Sequence, residues 1–116
     1  MLLTKPQIYI KLNNMAEDRY YLGSDLKFKI EITASGFDQA TDDYTIDLYC
    51  GNKKITYTKA DIVEQDGNYY LLVDTSLLRP GTMKLVITAM VPDDTFESRV
   101  RREIEVVNIG TIKGTN

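Results

Sequence analysis

Residues 66–107 read DGNYYLLVDTSLLRPGTMKLVITAMVPDDTFESRVRREIEVV, which contains three runs of strand-forming residues. The runs cover 69–74, 82–91 and 96–107. Pro80-Gly81 lies between the first two and suits a type II turn, because proline presets φ and glycine accepts a positive φ. A tight Pro92-Asp93-Asp94 turn separates the last two. This order of strands and turns is expected for the closing half of an Ig-like β-sandwich.

Alternation of apolar and polar residues predicts further strands before this stretch. The two clearest are 26–33, with Leu26, Phe28, Ile30 and Ile32 inward, and 44–50, with Tyr44, Ile46, Leu48 and Cys50 inward. Strands are also expected at 7–12, at 53–58 and, as a short edge strand, near Ile62 and Val63, whereas 13–23 is turn-rich. The prediction is an all-β fold, an Ig-like antiparallel β-sandwich of about seven to eight strands without long helices.

The length and charge of the chain limit its domain count and its partners. Residues 1–116 fit a single Ig-like domain, in which 108–116 reads as a C-terminal tail. A formal charge of -3 and a pI near 4.9 argue against nucleic acid and anionic membranes as partners, since both need a basic surface. No signal peptide is expected at the N-terminus, and no run approaches the ~20 apolar residues that span a bilayer. Cys50 is alone, so no intrachain disulfide forms, which fits a reducing compartment.

The sequence offers little catalytic chemistry. It has no histidine, which removes the commonest general base and most zinc sites, and it has no glycine-rich phosphate loop. Adjacent carboxylates occur at Asp42-Asp43 and Asp93-Asp94, where solvated turns are the expected role. A calcium site would need about six to eight oxygen ligands, which no loop spacing supplies. We therefore expect no enzyme, no cofactor and no metal.

Outward-facing apolar residues suggest a partner surface. Met83, Leu85, Ile87, Ala89 and Val91 form the expected core face of their strand. Tyr70, Leu72, Val86 and Met90 fall on the opposite face of two strands that we expect to lie close together. Such a patch marks a binding surface unless the N-terminal segment or the tail with Ile109 and Ile112 covers it. The candidate partner-binding residues are Tyr70, Leu72, Val86 and Met90, with Asp93 and Asp94 in the adjacent turn.

Two further patterns leave alternatives open. In the last strand, Val100, Ile104 and Val106 share a face with Phe96. Arg102 falls on the same face, which predicts either a bulge or an acidic partner for Arg102. Outward tyrosines at positions 9, 49 and 70 either cover strands or serve an interface. Exposed tyrosines also permit a carbohydrate-binding or adhesin module, although the lack of tryptophan counts against it.

Three segments resemble Ig-like virion proteins of tailed phages, of the kind found in Bacteroidales and crAss-like phages. They are 22–30 (LGSDLKFKI), 66–81 with its Gly-x-Tyr and Leu-x-x-Gly elements, and VPDDTF at 91–96 with VVNIG at 106–110. The chain departs from the pattern where Ser24 interrupts the Gly-Asp pair and where Phe96 is followed by Glu97-Ser98.

The resemblance implies a non-enzymatic structural or accessory protein of a phage virion. Such a protein would bind other virion proteins, as a capsid decoration protein or as a tail or baseplate attachment, and copies of it would self-associate. It would reside in the virion after assembly in the host cytoplasm. The family implies no catalytic residues. The alternative from a different class remains a carbohydrate-binding or adhesin Ig-like module.

Overall fold

The computed structural model describes residues 19–114 and the backbone of residues 9–10. The described chain contains ten strand segments and two 3₁₀ turns, Lys59–Asp61 and Thr75–Leu77. The strands are β1 (Tyr9–Ile10), β2 (Arg19–Tyr21), β3 (Asp25–Lys29), β4 (Ile32–Thr33), β5 (Tyr44–Cys50), β6 (Lys53–Thr58), β7 (Val63–Gln65), β8 (Asn68–Asp74), β9 (Gly81–Pro92) and β10 (Val100–Lys113).

The strands form two sheets that enclose one core. Sheet 1 has the order β2-β10-β9-β5-β6, and sheet 2 has the order β3-β8-β7. β4 continues the line of β3 and pairs with β1. Every pair is antiparallel except β2 with β10, which is parallel. An Ig domain places strands A, B, E and D in one sheet and C, F and G in the other. The strands of this chain follow that order, with β5, β9 and β10 in the places of C, F and G, and with β6 added beside β5 and β2 beside β10.

The alternation read from the sequence matches the buried face of each central strand. The four inward residues of β5, from Tyr44 to Cys50, are all buried, and so are the five of β9, from Met83 to Val91. Phe28, Ile30 and Ile32 complete the opposite wall of the same cluster. The predicted all-β sandwich is therefore confirmed, with more strand segments than expected because β3 and β4 are counted separately and β2 lies in the segment expected to be turn-rich.

The gap between β3 and β4 is bridged by a side chain. Gln39 accepts a hydrogen bond from Ile32 N (2.9 Å) and donates one to Ile30 O (3.1 Å), so its amide acts as a short piece of neighbouring strand. Ile30 N still donates to Tyr69 O of β8 (2.8 Å). The long strand expected at 26–33 thus keeps its direction and its buried face through the break.

The turns have the backbone angles that their residue types favour, with one exception. Asp66 and Gly67 both have positive φ (55° and 79°) in the two-residue connection between β7 and β8, as a type I′ turn requires. Gly51 begins the two-residue turn of the β5–β6 hairpin with φ 63°. The type II turn predicted at Pro80-Gly81 is wrong, because Gly81 is already the first residue of β9 and has φ 149°. The chain turns instead through the 3₁₀ turn Thr75–Leu77, and Leu78 fills the end of the core.

β10 differs most from the sequence prediction. It begins at Val100 and not at Phe96, and it runs to Lys113, so 108–113 is a strand and not a tail. A register shift between Asn108 and Gly110 marks a bulge there, not at Arg102. The shift allows Ile109 and Ile112 to enter the core, which excludes them as a cover for an outer face.

Two predictions concern the N-terminal part of the chain. The predicted strand 7–12 is represented by β1, and its remaining residues lie outside the described chain. Part of the turn-rich segment 13–23 is the strand β2, whose Tyr20 packs on Phe28 with ring centroids 6.2 Å apart. Residues 11–18 also lie outside the described chain.

Candidate interaction surfaces

The outer face of sheet 1 carries two of the predicted partner-binding residues, Val86 and Met90. On β9 they alternate with the buried core residues, so their side chains leave the opposite side of the sheet. β10 places Val106 beside Val86 and Ile104 beside Thr88 on this face. Ile104 is 59% exposed and Val106 is 54% exposed. We call Val86, Met90, Ile104 and Val106 the apolar strip.

Tyr70 and Leu72 do not join this strip. They lie on β8, which belongs to sheet 2, so the core separates their outward side from that of β9. The four residues were expected to lie together because β8 and β9 follow each other in the chain. The corner at 75–80 instead carries the chain from one sheet to the other, and the predicted patch is divided between opposite outer faces.

The sheet 2 half of the predicted patch is partly covered. The ammonium group of Lys27 lies 4.4 Å from the ring centroid of Tyr70 and donates a hydrogen bond to Gln65 Oε1 (3.1 Å). Leu72 remains 49% exposed, in a groove of about 400 Å³ between Asp25 and Asp74. This face therefore offers two open apolar side chains, Leu72 and the 40% exposed Val63 that pairs with Tyr70, among charged neighbours.

Ile104 and Val106 are surface residues that the sequence pattern did not indicate. They share a face with Val100, as expected, but that face is the outer one. Arg102 shares it and is exposed, with no ion pair within the described residues. Arg101 and Glu103 lie on the other face, so the acidic partner expected for Arg102 belongs to Arg101. The hydrophobicity of Ile104 and Val106 favoured the inward assignment, and only the pairing with β9 shows the true register.

Polar and basic side chains frame the apolar strip. Lys54, Tyr49 and Lys84 are neighbours across three strands, with both ammonium groups within 6 Å of the Tyr49 ring centroid (5.7 and 5.5 Å). Asp47 is the one acidic residue beside Val86, and it accepts a hydrogen bond from the Thr56 hydroxyl (2.7 Å). The charged residues beside the apolar strip, Lys54, Lys84 and Asp47, thus carry a net positive charge in a chain of formal charge -3.

A hollow interrupts the outer face of sheet 1 beside Met90. It measures about 470 Å³, and Val100, Thr45, Thr58 and Ala60 contribute to its lining. This face is therefore uneven: Ile104 and Val106 are exposed on it, and the hollow lies beside Met90. A protein surface of complementary shape could pack against it.

Asp93 and Asp94 begin the connection between β9 and β10, which we call the 93–99 loop. Asp93 Oδ1 accepts hydrogen bonds from the backbone and hydroxyl of Thr95 (3.0 and 2.6 Å), and its Oδ2 pairs with Arg101 Nη1 (2.6 Å). These bonds, led by the Thr95 hydroxyl, lower the pKa of the Asp93 carboxyl. Asp93 therefore holds the loop together, whereas Asp94 is exposed.

The 93–99 loop is fixed along its whole length. Asp93 N donates to Arg99 O (2.9 Å), and Arg99 N donates to Phe96 O (2.9 Å). Arg101 Nη2 also donates to Ser35 O (3.2 Å), which ties the loop to the neighbouring 34–43 connection. At its tip Phe96 is 47% exposed, next to Glu97. The loop thus presents an aromatic ring beside free carboxylates.

Within residues 9–10 and 19–114, no three cysteine or acidic residues are arranged to hold a metal ion. The described chain also contains no helix of the length and hydropathy needed to cross a membrane. Comparisons with family models, with curated proteins and with solved structures gave no match to this chain.

Proposed function

We propose that this protein is a non-enzymatic structural module of a phage virion, which binds other virion proteins through the outer face of sheet 1. The observation that carries the proposal is the apolar strip, in which Ile104 and Val106 are each more than half exposed on the outer face of the sheet. Exposed apolar patches with a polar rim are typical of protein-binding surfaces. The assignment to a virion rests on the resemblance of 22–30, 66–81 and 91–110 to Ig-like phage proteins.

The chemistry of the face supports a protein partner. Interfaces are apolar at the centre and polar at the rim, and here Val86 and Val106 lie between threonines on one side and basic side chains on the other. A capsid or tail presents many copies of its binding site, so a modest affinity per copy would suffice for stable attachment.

The glycan-binding alternative has less support. A sugar platform needs aromatic rings that share one open surface. Tyr49 is flanked by two lysines and Tyr70 is covered by Lys27. The exposed rings of Tyr21 and Phe96 belong to opposite ends of the β10 line, about 40 Å apart at ~3.3 Å per residue. We therefore keep the virion role as the proposal.

Co-sedimentation with particles tests the proposal. Particles of the phage whose genome carries the gene would be purified without this protein, incubated with it and separated on a density gradient. We expect the wild-type chain to move with the particles and the Ile104→Lys variant to remain at the top. Leu72→Lys is the matched control, because it places the same charge on an exposed apolar site of the opposite face.

The proposal fails if the wild-type chain does not move with the particles. It also fails if the two variants lose binding equally, because the outer face of sheet 1 would then have no special part in attachment. A virion gene neighbourhood around the coding sequence is expected as well, and its absence would argue for the glycan-binding alternative, which a glycan array would then examine.

A further inference from the structure

We propose that the free edge of β6 pairs with the same edge of a second copy of this chain, in an antiparallel arrangement that joins the two copies of sheet 1 into one continuous sheet. β6 is the outermost strand of sheet 1, and within the described residues no strand lies on its far side. The inference goes beyond the proposed function, because this edge is a different surface from the apolar strip. It is carried by the backbone groups that β6 leaves open and by the register in which they match.

The β5–β6 hairpin decides which backbone groups of β6 face outward. Its two-residue turn makes Cys50 and Lys53 a hydrogen-bonded pair. Hydrogen-bonded pairs recur at every second position of an antiparallel ladder, so every second residue from Lys53 onward bonds to β5. The N–H and C=O groups of Lys54 and Thr56, which lie between these positions, therefore point away from β5.

One end of this edge is already closed. Thr58 belongs to the same alternate set, and its N–H donates to Asp61 Oδ2 (2.8 Å) instead of to a strand. Asp61 lies in the 3₁₀ turn that follows β6, and its carboxylate takes the place of a neighbouring strand there. Lys54 and Thr56 are thus the residues of β6 whose N–H and C=O groups are both open within residues 19–114.

These open groups match themselves across a twofold axis. An axis normal to the sheet beside Ile55 reverses the strand direction and keeps the inner faces of both copies on one side, as antiparallel strands of one sheet require. It sets Lys54 opposite the second copy's Thr56 in hydrogen-bonded pairs, so every open group finds a partner. A register centred on Thr56 would need Thr58 N, which already donates to Asp61. A register centred on Lys54 would set two lysines directly opposite each other, which is unfavourable.

The side chains on the outer side of the junction match in charge. Tyr49 pairs with Lys54 and Asp47 pairs with Thr56, so one row runs from Tyr49 and Lys54 of one copy to Thr56 and Asp47 of the other. Asp47 has no ion pair within the described residues, and the second copy's Lys54 supplies one. The two Lys54 side chains are diagonal neighbours about 7–8 Å apart, and the two Asp47 carboxylates balance them. Lys84 lies one strand further from the junction.

The inner side of the junction extends the hydrophobic core. The axis sets Ile55 beside the second copy's Ile55, as a non-hydrogen-bonded pair in which side chains approach closely. Ile55 and Tyr57 are half-buried and pack against the core of their own chain. The second copy's Lys53 lies opposite Tyr57. Burial first, then Asp61 and Asp74, raise the pKa of Tyr57, so this lysine enters surroundings that contain two carboxylates.

The lysines of the edge make the pairing selective. Lysine on an edge strand discourages pairing with neutral strands. In the proposed register, Lys53 and Lys54 each approach a carboxylate of the second copy, so they favour this partner. The junction is small, and interfaces below ~1,200 Å² are typical of transient complexes. We therefore expect a reversible dimer at sub-millimolar concentration.

Sedimentation equilibrium and amide hydrogen exchange measure the pairing. We expect a species of twice the 13.2 kDa chain mass, and protection of the Lys54 and Thr56 amides that increases with concentration. Thr56→Pro removes an open N–H without touching the β5 ladder and should be monomeric, whereas Thr56→Ala keeps the N–H and should still dimerise. A monomeric wild-type chain would overturn the inference, as would a Thr56→Pro variant that is folded, as judged by thermal unfolding, and dimerises as well as the wild type.

A charge exchange measures the register and leaves the backbone unchanged, so it decides the question even if Thr56→Pro does not fold. Lys54→Glu sets acidic groups against Asp47, and Asp47→Lys sets basic groups against Lys54, so each variant alone should be monomeric. Mixed in equal amounts they should form a heterodimer, which native mass spectrometry detects when one chain is isotope-labelled. Lys113→Glu makes the same charge change beside the opposite edge of sheet 1 and should dimerise like the wild type. A mixture that stays monomeric would overturn the inference.

The dimer and the virion role are separable by these results. Ile104→Lys changes the apolar strip and leaves the β6 edge intact, so it should dimerise like the wild type. A monomeric wild-type chain that still co-sediments with particles through Ile104 would reject the dimer and retain the virion role. A dimeric chain that never binds particles would retain the dimer and reject the virion role.

Discussion

Arg101 Nη1 lies 2.6 Å from Asp93 Oδ2, across the base of the loop that joins β9 and β10. The same guanidinium contacts Glu103 through Nε (2.8 Å) and Ser35 O through Nη2 (3.2 Å). Glu103 first and Asp93 second raise the pKa of Arg101. One arginine thus connects the loop, the last strand and the 34–43 connection.

Replacement of Asp93 by alanine should lower the urea midpoint of unfolding at neutral pH. The pKa of Asp93 is lowered in the folded state, so its contribution is complete above the ordinary carboxyl pKa of about 4 and is lost as the pH falls through the lower folded-state value. The difference in midpoint between wild type and Asp93→Ala should therefore shrink in strong acid. Asp94→Ala is the control and should change little at either pH. A difference that grows in acid would contradict this account.

Replacement of Thr75 by valine should cost about 1–3 kcal/mol of the free energy of unfolding. The buried Thr75 hydroxyl accepts a hydrogen bond from Gly23 N (2.8 Å) and donates one to Ser24 O (2.7 Å). Valine keeps the shape and leaves both backbone groups without this partner. Thr75→Ser keeps the hydroxyl and should cost less than valine in urea unfolding. A loss in Thr75→Ser as large as that in Thr75→Val would contradict this account, because the methyl group would then contribute as much as the hydroxyl.

Replacement of Gly81 by alanine should cost about 2–4 kcal/mol. A Cβ on Gly81 would lie 2.9 Å from Gly51 N, and φ is 149°, where side chains are strained. Gly67→Ala is a matched comparison, because its φ is 79° but no atom lies within 4 Å of an added Cβ. It should lose only about 1–2 kcal/mol, the cost of the left-handed conformation. Chemical denaturation of the two variants separates the steric clash of the added Cβ with Gly51 from the strain of the backbone conformation. Equal losses of unfolding free energy in the two variants would rule out the clash.

Replacement of Tyr44 by phenylalanine should leave stability unchanged or raise it by up to about 1 kcal/mol. The Tyr44 hydroxyl is buried without a hydrogen-bond partner. Burial raises its pKa, and the nearby Gln39 amide offsets this only in part. Tyr44→Leu should lose about 1–3 kcal/mol, since it leaves a cavity beside Phe37. A clear loss in Tyr44→Phe by thermal unfolding would show that the hydroxyl is satisfied in solution.

The sequence determined the strands and their buried residues where the pattern is local. Tyr44, Ile46, Leu48 and Cys50 alternate with polar residues, and such a strand has only one face that can enter a core. The turn at Asp66-Gly67 could equally be predicted from the sequence, because a turn with two positive φ values favours those residue types. Local chemistry is sufficient in both cases, since neither depends on which strand lies alongside.

The tertiary structure alone decided which outward residues share a surface. Tyr70 and Val86 lie on strands that follow each other in the chain, yet the strands belong to opposite sheets, and no local pattern encodes that choice. β10 shows the same limit. Ile104 and Val106 look like core residues, but hydrogen bonding to β9 fixes the register and turns them to the outer face. Period-two alternation separates two faces, whereas pairing with a distant strand selects the one that meets the core.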